Sequence, residues 1–123
     1  MDEVVIRYIV DDIDGAFDFY TRALGFSNED HRGDTYAILS RGPLQLVLSS
    51  SGHPGAVPRG ESERSAGWNR FRINVDDLED TARKAVERGG TRRSDVATYA
   101  RGRLILIGDP WGNLVELLEP TAN

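Results

Sequence analysis

The chain changes its hydrophobic period several times, and each change marks a boundary between elements. Val4 to Val10 is apolar and β-branched, which predicts a strand. Phe17, Tyr20 and Leu24 then recur at helical spacing, and Gly25 stands where a glycine ends a helix. Thr35 to Ser40 and Leu44 to Ser49 predict two strands turning at Arg41-Gly42-Pro43. The order then recurs. Trp68 to Val75 reads as a strand, Leu78 to Arg88 as a helix stopped by Gly89-Gly90, and Leu104 to Ile107 as a strand. Asp109-Pro110-Trp111-Gly112-Asn113 is a turn that leads into a last strand, Leu114 to Leu118. Each half is therefore β-α-β-β-β, and its second strand leaves the weakest signal.

The halves also resemble each other residue by residue. Val5-Ile6-Arg7-Tyr8-Ile9-Val10-Asp11-Asp12-Ile13-Asp14-Gly15 returns, 65 residues on, as Arg70-Phe71-Arg72-Ile73-Asn74-Val75-Asp76-Asp77-Leu78-Glu79-Asp80, and the same offset carries Gly25 onto Gly90. A repeat of half the chain predicts one module used twice about a pseudo-twofold axis, with a cleft between the copies. Residues 1–123 read as one α+β domain. Module 1 covers about 3–50, a linker or flap 50–67, and module 2 about 68–120. The flap is rich in Ser, Gly, Pro and charge. Asp11-Asp12 and Asp76-Asp77 stand at the same strand-to-helix junction, so they read as helix caps rather than as catalytic carboxylates.

Side chains alternate across a strand, so the faces can be assigned. Phe71, Ile73 and Val75 form an apolar face suited to the module's helix, which leaves Trp68, Arg70, Arg72 and Asn74 for the cleft. Their first-module counterparts for Arg70, Arg72 and Asn74 are Val5, Arg7 and Ile9. Ile6, Val10, Phe17, Tyr20, Val115 and Leu117 join the expected helix-facing set. In the last strand, Glu116 is a lone carboxylate among apolar residues. Aligning Val115-Glu116-Leu117 with Leu44-Gln45-Leu46 pairs it with another polar residue in an apolar setting, which favours the cleft over solvent.

Composition narrows the chemistry. A net charge of −5 argues against a nucleic-acid or anionic-membrane surface, and no apolar run is long enough to span a bilayer. The chain has no cysteine, which removes disulfides, thiolate catalysis and cysteine-ligated metals. With no secretory pattern at Met1-Asp2-Glu3, a cytoplasmic location is expected. Phosphate loops, dinucleotide fingerprints and Gly-x-Ser-x-Gly elbows are absent.

Taken together, Val10-Asp11-Asp12-Ile13 leading to Phe19-Tyr20 and Leu24-Gly25-Phe26, then Val75-Asp76-Asp77-Leu78, then Asp109 to Leu117, resemble the vicinal-oxygen-chelate superfamily. That group includes glyoxalase I enzymes, extradiol dioxygenases and bleomycin-resistance proteins. The resemblance spans essentially the whole chain. It implies paired βαβββ modules forming a curved mixed sheet around a ligand cavity, in a homodimer. It also implies metal ligands on the first and last strand of each module. Carried over, those positions are Val5, Gln45 (or Val47 if the register slips), Arg70 and Glu116. Valine cannot ligate, and a protonated arginine repels a divalent cation. One carboxylate and one amide are a poor set for a catalytic metal.

What the cleft is expected to hold instead is Arg70 beside Glu116, with Arg7 and Arg72 as a pseudo-symmetric pair. The Arg70–Glu116 pair would be either a silent ion pair in the vacated metal position or a handle for ligand oxygens. Trp68, Val5, Val47 and Leu114 would supply apolar walls. The leading expectation is a metal-independent protein binding a small, partly apolar or aromatic molecule, as antibiotic-sequestering members do. The rival is an isomerase, lyase or dioxygenase. It would use a divalent metal on atypical ligands such as His53, or Glu116 as base with Arg70 stabilising an oxyanion. His31 and His53 otherwise read as loop histidines.

Overall fold

The computed structural model describes residues 4–50 and 69–121. It divides into two compact units, Met1–Arg64 and Ser65–Asn123. Residues 51–67 of the linker, with His53, and Trp68 lie outside the described residues.

In the first unit, β1 (Val4–Ile9) leads to α1 (Ile13–Asp18), a π-helical continuation (Phe19–Ala23), and strands β2 (Ser27–Arg32), β3 (Tyr36–Arg41) and β4 (Leu44–Ser49). The sheet order is β1-β4-β3-β2. β1 runs parallel to β4, and the other pairs are antiparallel. The second unit repeats this plan with β5 (Arg70–Asn74), α2 (Leu78–Glu87), short strands β6 (Thr91–Arg92) and β7 (Ala97–Tyr99), then β8 (Gly102–Gly108) and β9 (Leu114–Pro120). Here β5 is parallel to β9, with β8 beyond it. The α+β class and the tandem βαβββ plan thus hold, with each module carrying its own mixed sheet. The weak second strand of the sequence analysis is β2 in one unit. In the other it is broken into β6 and β7, because Arg93 to Val96 makes no ladder between them.

Both aspartate pairs do cap helices. Asp12 is extended and its carboxylate accepts from the Gly15 amide; Asp77 does the same for Asp80. Such caps satisfy amides that the first helical turn leaves unpaired. The helices end differently, however. Gly89 has φ +95°, its amide donates to the Val86 carbonyl, and the Gly90 amide reaches back to Ala85, which is a Schellman closure. In module 1 the positive-φ residue is Gly25, and the Phe26 amide reaches six residues back to Tyr20. Gly25 follows Asp12 by thirteen residues (25 − 12), whereas Gly89 follows Asp77 by twelve (89 − 77). The structural equivalent of Gly25 is therefore Gly89, not Gly90. The π-helical turn absorbs the extra residue, so that both helices still end on a left-handed glycine.

The core lies between each helix and one face of its sheet. In unit 1, Tyr8, Val10, Ala37, Leu39, Leu46 and Leu48 are buried against Ile13, Ala16, Phe19 and Tyr20. In unit 2, Ile73, Val75, Ile105, Ile107, Val115 and Leu117 are buried with Leu78, Ala82 and Ala85 of α2. The expected helix-facing residues are found on this face, although Ile6, Phe17 and Phe71 are only half-buried.

Two side chains lock the β8–β9 region. The Asp109 carboxylate accepts from the amides of Trp111 (2.9 Å) and Asn113 (2.8 Å) and from the Asn113 side chain (3.0 Å), fixing the turn into β9. Glu119, at the other end of β9, accepts from the Leu78 amide at 2.8 Å and from Arg103 at 3.3 Å. It therefore ties the last strand to the N-terminus of α2, where the dipole favours an anion.

The Leu78 amide, foremost, and Arg103 hold the Glu119 carboxyl below its ordinary range. The folded state thus binds this proton less readily than the unfolded chain. Its stabilisation is present above the ordinary carboxylate range and is lost as pH falls through the lowered value. Glu119→Gln should flatten the acid side of the stability profile, read as urea midpoints between about pH 3 and pH 7. An unchanged acid slope would show that Glu119 contributes nothing to it.

Candidate functional site

The face of each sheet that turns away from its helix carries the residues singled out by the sequence. In unit 2 the ladder sets Arg70 opposite Leu114, Arg72 opposite Glu116, and Asn74 opposite Leu118. One strand further on, Leu106 lies opposite Glu116 and Leu104 opposite Leu118. Arg70 Nε donates diagonally to Glu116 Oε2 at 2.8 Å, with the side chains 32% and 19% exposed. The expected pair is present, and it is neither fully solvated nor fully buried. Arg72 is exposed, and its Nη1 donates to the Tyr99 hydroxyl at 3.1 Å. Leu114 and Leu118 are buried on this face, while Leu104 and Leu106 are half-buried.

The corresponding face of unit 1 has three rows: Val5-Gln45-Ser40, Arg7-Val47-Ile38 and Ile9-Ser49-Tyr36. Arg7 donates to the Ser49 hydroxyl, and Ser49 is fully buried. Val5 is an apolar side chain left 56% exposed, and Gln45 and Val47 are half-buried. Sequence reasoning missed Ser49 as a partner for Arg7. The signal was available, because in a parallel pair Arg7 faces the same side as Val47 and Ser49. Tyr99 was missed for a different reason: a three-residue strand offers no period to read.

The ladders also settle which fourth-strand residue corresponds to Glu116. Val5 pairs with Gln45 and Arg7 with Val47; Arg70 pairs with Leu114 and Arg72 with Glu116. Since Arg7 and Arg72 are repeat equivalents, the counterpart of Glu116 is Val47, and Gln45 corresponds to Leu114. The register slip is real. Glu116 is then the one anionic donor among Val5, Val47, Arg70 and Glu116, and Arg70 already occupies one of its oxygens. These residues do not fit a catalytic divalent metal. Among the described residues, no cluster of three or more His, Asp or Glu is placed to hold one.

His31 is not on a loop, as expected, but on β2. Its ring stacks on Phe17, with centroids 4.3 Å apart, and Nε2 lies 2.9 Å from Asp14 Oδ1 and 3.0 Å from the Gly33 carbonyl. It joins helix to strand: it stands in the row of Ala37, Leu48 and Tyr8, which faces the helix, one residue from the row of Arg7 and Val47 but on the opposite face.

The family model of the Glyoxalase/Bleomycin resistance protein/Dioxygenase superfamily matches residues 2–117. The chain belongs to this superfamily. Solved structures of the same fold cover nearly all of it. TioX from Micromonospora sp. ML1 is 19% identical with a TM-score of 0.75, over 98% of this chain and 100% of that one. TnmS3, an antibiotic binding protein from Streptomyces sp. CB03234, is 24% identical with a TM-score of 0.69, over 98% and 97%. The bleomycin-binding protein from bleomycin-producing Streptomyces verticillus, solved with copper(II)-bleomycin, is 20% identical with a TM-score of 0.62, over 98% of each chain. No curated protein matches the chain. The superfamily includes both enzymes and binding proteins, so membership alone does not choose between them.

The Arg70–Glu116 pair has a measurable consequence. Exposed pairs contribute about 0–1 kcal/mol, whereas breaking a buried pair costs about 3–5 kcal/mol. At 32% and 19% exposure this pair falls between those limits. Arg70→Met should therefore destabilise by about 1–2 kcal/mol, because it strands the carboxylate. Arg70→Met combined with Glu116→Gln should cost less than Arg70→Met alone. Chemical denaturation of both variants and of Glu116→Gln closes the cycle; equal, small losses in all three would mean that the pair is energetically silent.

Proposed function

We propose that this protein binds a small, partly apolar or aromatic molecule without a metal ion, on the helix-free faces of its two sheets. The observation that carries this reading is the Arg70–Glu116 ion pair. It places a guanidinium where a metal would need an anionic ligand, and leaves polar handles on a largely apolar floor. Val5, Arg7, Gln45, Val47, Trp68, Arg70, Arg72 and Glu116 are the proposed ligand-contacting residues. The family includes bleomycin-resistance proteins, and TnmS3 and the bleomycin-binding protein share the fold. Sequestration of a drug-like compound in the cytoplasm is the role this supports. No described helix is long and apolar enough to cross a membrane.

Protein purified without chelators should carry nickel, zinc, iron and manganese well below one equivalent by elemental analysis. A compound library that includes antibiotics should contain members that raise the melting temperature; a ligand at a hundredfold excess over its Kd stabilises by about 2.7 kcal/mol. A stoichiometric metal that Glu116→Gln releases would replace this reading with a metalloenzyme.

The same proposal includes a homodimer. β1 and β5 are edge strands of their respective sheets, and edges are usually paired or protected. Light scattering at micromolar concentration should give twice the chain mass of 13.6 kDa. A monomer at that concentration would remove the dimer and leave the binding reading intact.

A further inference from the structure

Arg70 and Arg72 sit on the same face of β5 but have different partners. Arg70 is neutralised by Glu116. Among the described residues, Arg72 meets no carboxylate within ion-pairing distance, and its recorded hydrogen bond goes to a neutral phenol. Among the described residues of this face, Arg72 is therefore the cation without an ionic partner.

The Arg72–Tyr99 bond also has an unusual reach. Tyr99 pairs with Gly102 on β8, Gly102 with Pro120 on β9, and Arg72 with Glu116 on β9. The two residues are three strand spacings apart, about 14 Å, and offset by four residues along β9, about 13 Å more in that direction. On a flat sheet that separation exceeds what the two side chains cover together, so unit 2's sheet must curl towards this face. Between Arg72 and Tyr99 along β9 lies the row of Leu104 and Leu118, while Leu106 lies on the row of Arg72 and Leu114 on that of Arg70. Gly102 is required for this arrangement: its φ is +147°, and an added Cβ would come within 2.1 Å of the Glu119 carbonyl oxygen.

We infer that the ligand is a monoanion, an aromatic or alicyclic carboxylate whose two oxygens are taken by Arg72 while its apolar body lies on the leucine rows. This inference rests on the binding reading given above and narrows it to a chemical class. A guanidinium fork matches the two oxygens of a carboxylate. The Tyr99 hydroxyl, which accepts from Arg72 in the free protein, can rotate and donate to the same carboxylate once ligand arrives. With Glu116 taken up by Arg70, Arg72 matches one negative charge, whereas a phosphate monoester brings a second one with no cation beside it among the described residues.

Three matched probes test this: 2-naphthoate, 2-naphthamide and 2-naphthyl phosphate, titrated against the full chain by calorimetry at one ionic strength. The acid should bind about tenfold or more tightly than the amide, as loss of a charge-assisted hydrogen bond implies. Arg72→Met should remove the acid's advantage, bringing its affinity down to that of the amide in the same variant. Arg72→Lys should recover part of the difference, and Tyr99→Phe should weaken the acid alone. Circular dichroism melts of the variants should match the parent, because Arg72 is exposed. Acid and amide binding equally would overturn the anionic class and leave the binding function standing. Preference for the phosphate would overturn the carboxylate. Failure of all three to bind at millimolar concentration would overturn the carboxylate class, while the binding reading falls only if the compound library also yields no stabilising member.

Discussion

In each module the first strand pairs in parallel with the last, and everything else in that module follows from the register of that pair. Because side chains alternate strictly, the pairing of Val5 with Gln45 and of Arg70 with Leu114 sends one set of residues to the helix and the other set away from it. A slip of β5 by one residue would put Arg70 and Arg72 against α2 and turn Phe71 and Ile73 away from it. That outcome would bury charge without partners, so the register is fixed by the hydrophobic effect acting on the helix side. The candidate site is what this choice leaves on the other side.

The repeat is conserved in plan but not in chemistry. Both modules have an aspartate cap, a helix closed by a left-handed glycine, and a parallel first-and-last strand pair. On the open faces they diverge. Module 1 presents Val5 and Val47 with Arg7 held by Ser49; module 2 presents the Arg70–Glu116 pair and the Arg72–Tyr99 bond. The buried core thus lies on the helix side, and the two modules differ on the other. The π-helical turn in module 1 is a similar accommodation. One extra residue between cap and closure is taken up locally, and the strands beyond it keep their places.

Among the described residues, the lack of a suitable metal-ligand set is itself a matter of register and charge. Glu116 alone could be read as half of a metal site. Arg70 on its carboxylate, and Val47 rather than Gln45 as its counterpart, leave that position poorly suited to a divalent cation. The physical basis is simple, since a fixed guanidinium satisfies the carboxylate that a cation would otherwise need.

Local patterns in the chain were sufficient for much of this. The 65-residue offset, the aspartate caps, the β4 boundaries at Leu44–Ser49 and the helix-facing alternation of Phe71, Ile73 and Val75 all depend on short-range preferences, so they were legible without coordinates. The Arg70–Glu116 pair was legible too, because face assignment turned both residues away from the helix and the family resemblance implied that their positions meet. Other features were not. β2 is polar along Asn28 to Arg32 and becomes a strand only because β3 pairs with it; β6 and β7 are too short to show a period. The choice of Val47 over Gln45, the joining of His31 to Phe17 and Asp14, and the reach of Tyr99 to Arg72 depend on pairing between distant segments. Tertiary structure alone decides such things, because register between strands is set by the summed burial of whole faces and not by any residue's own preference.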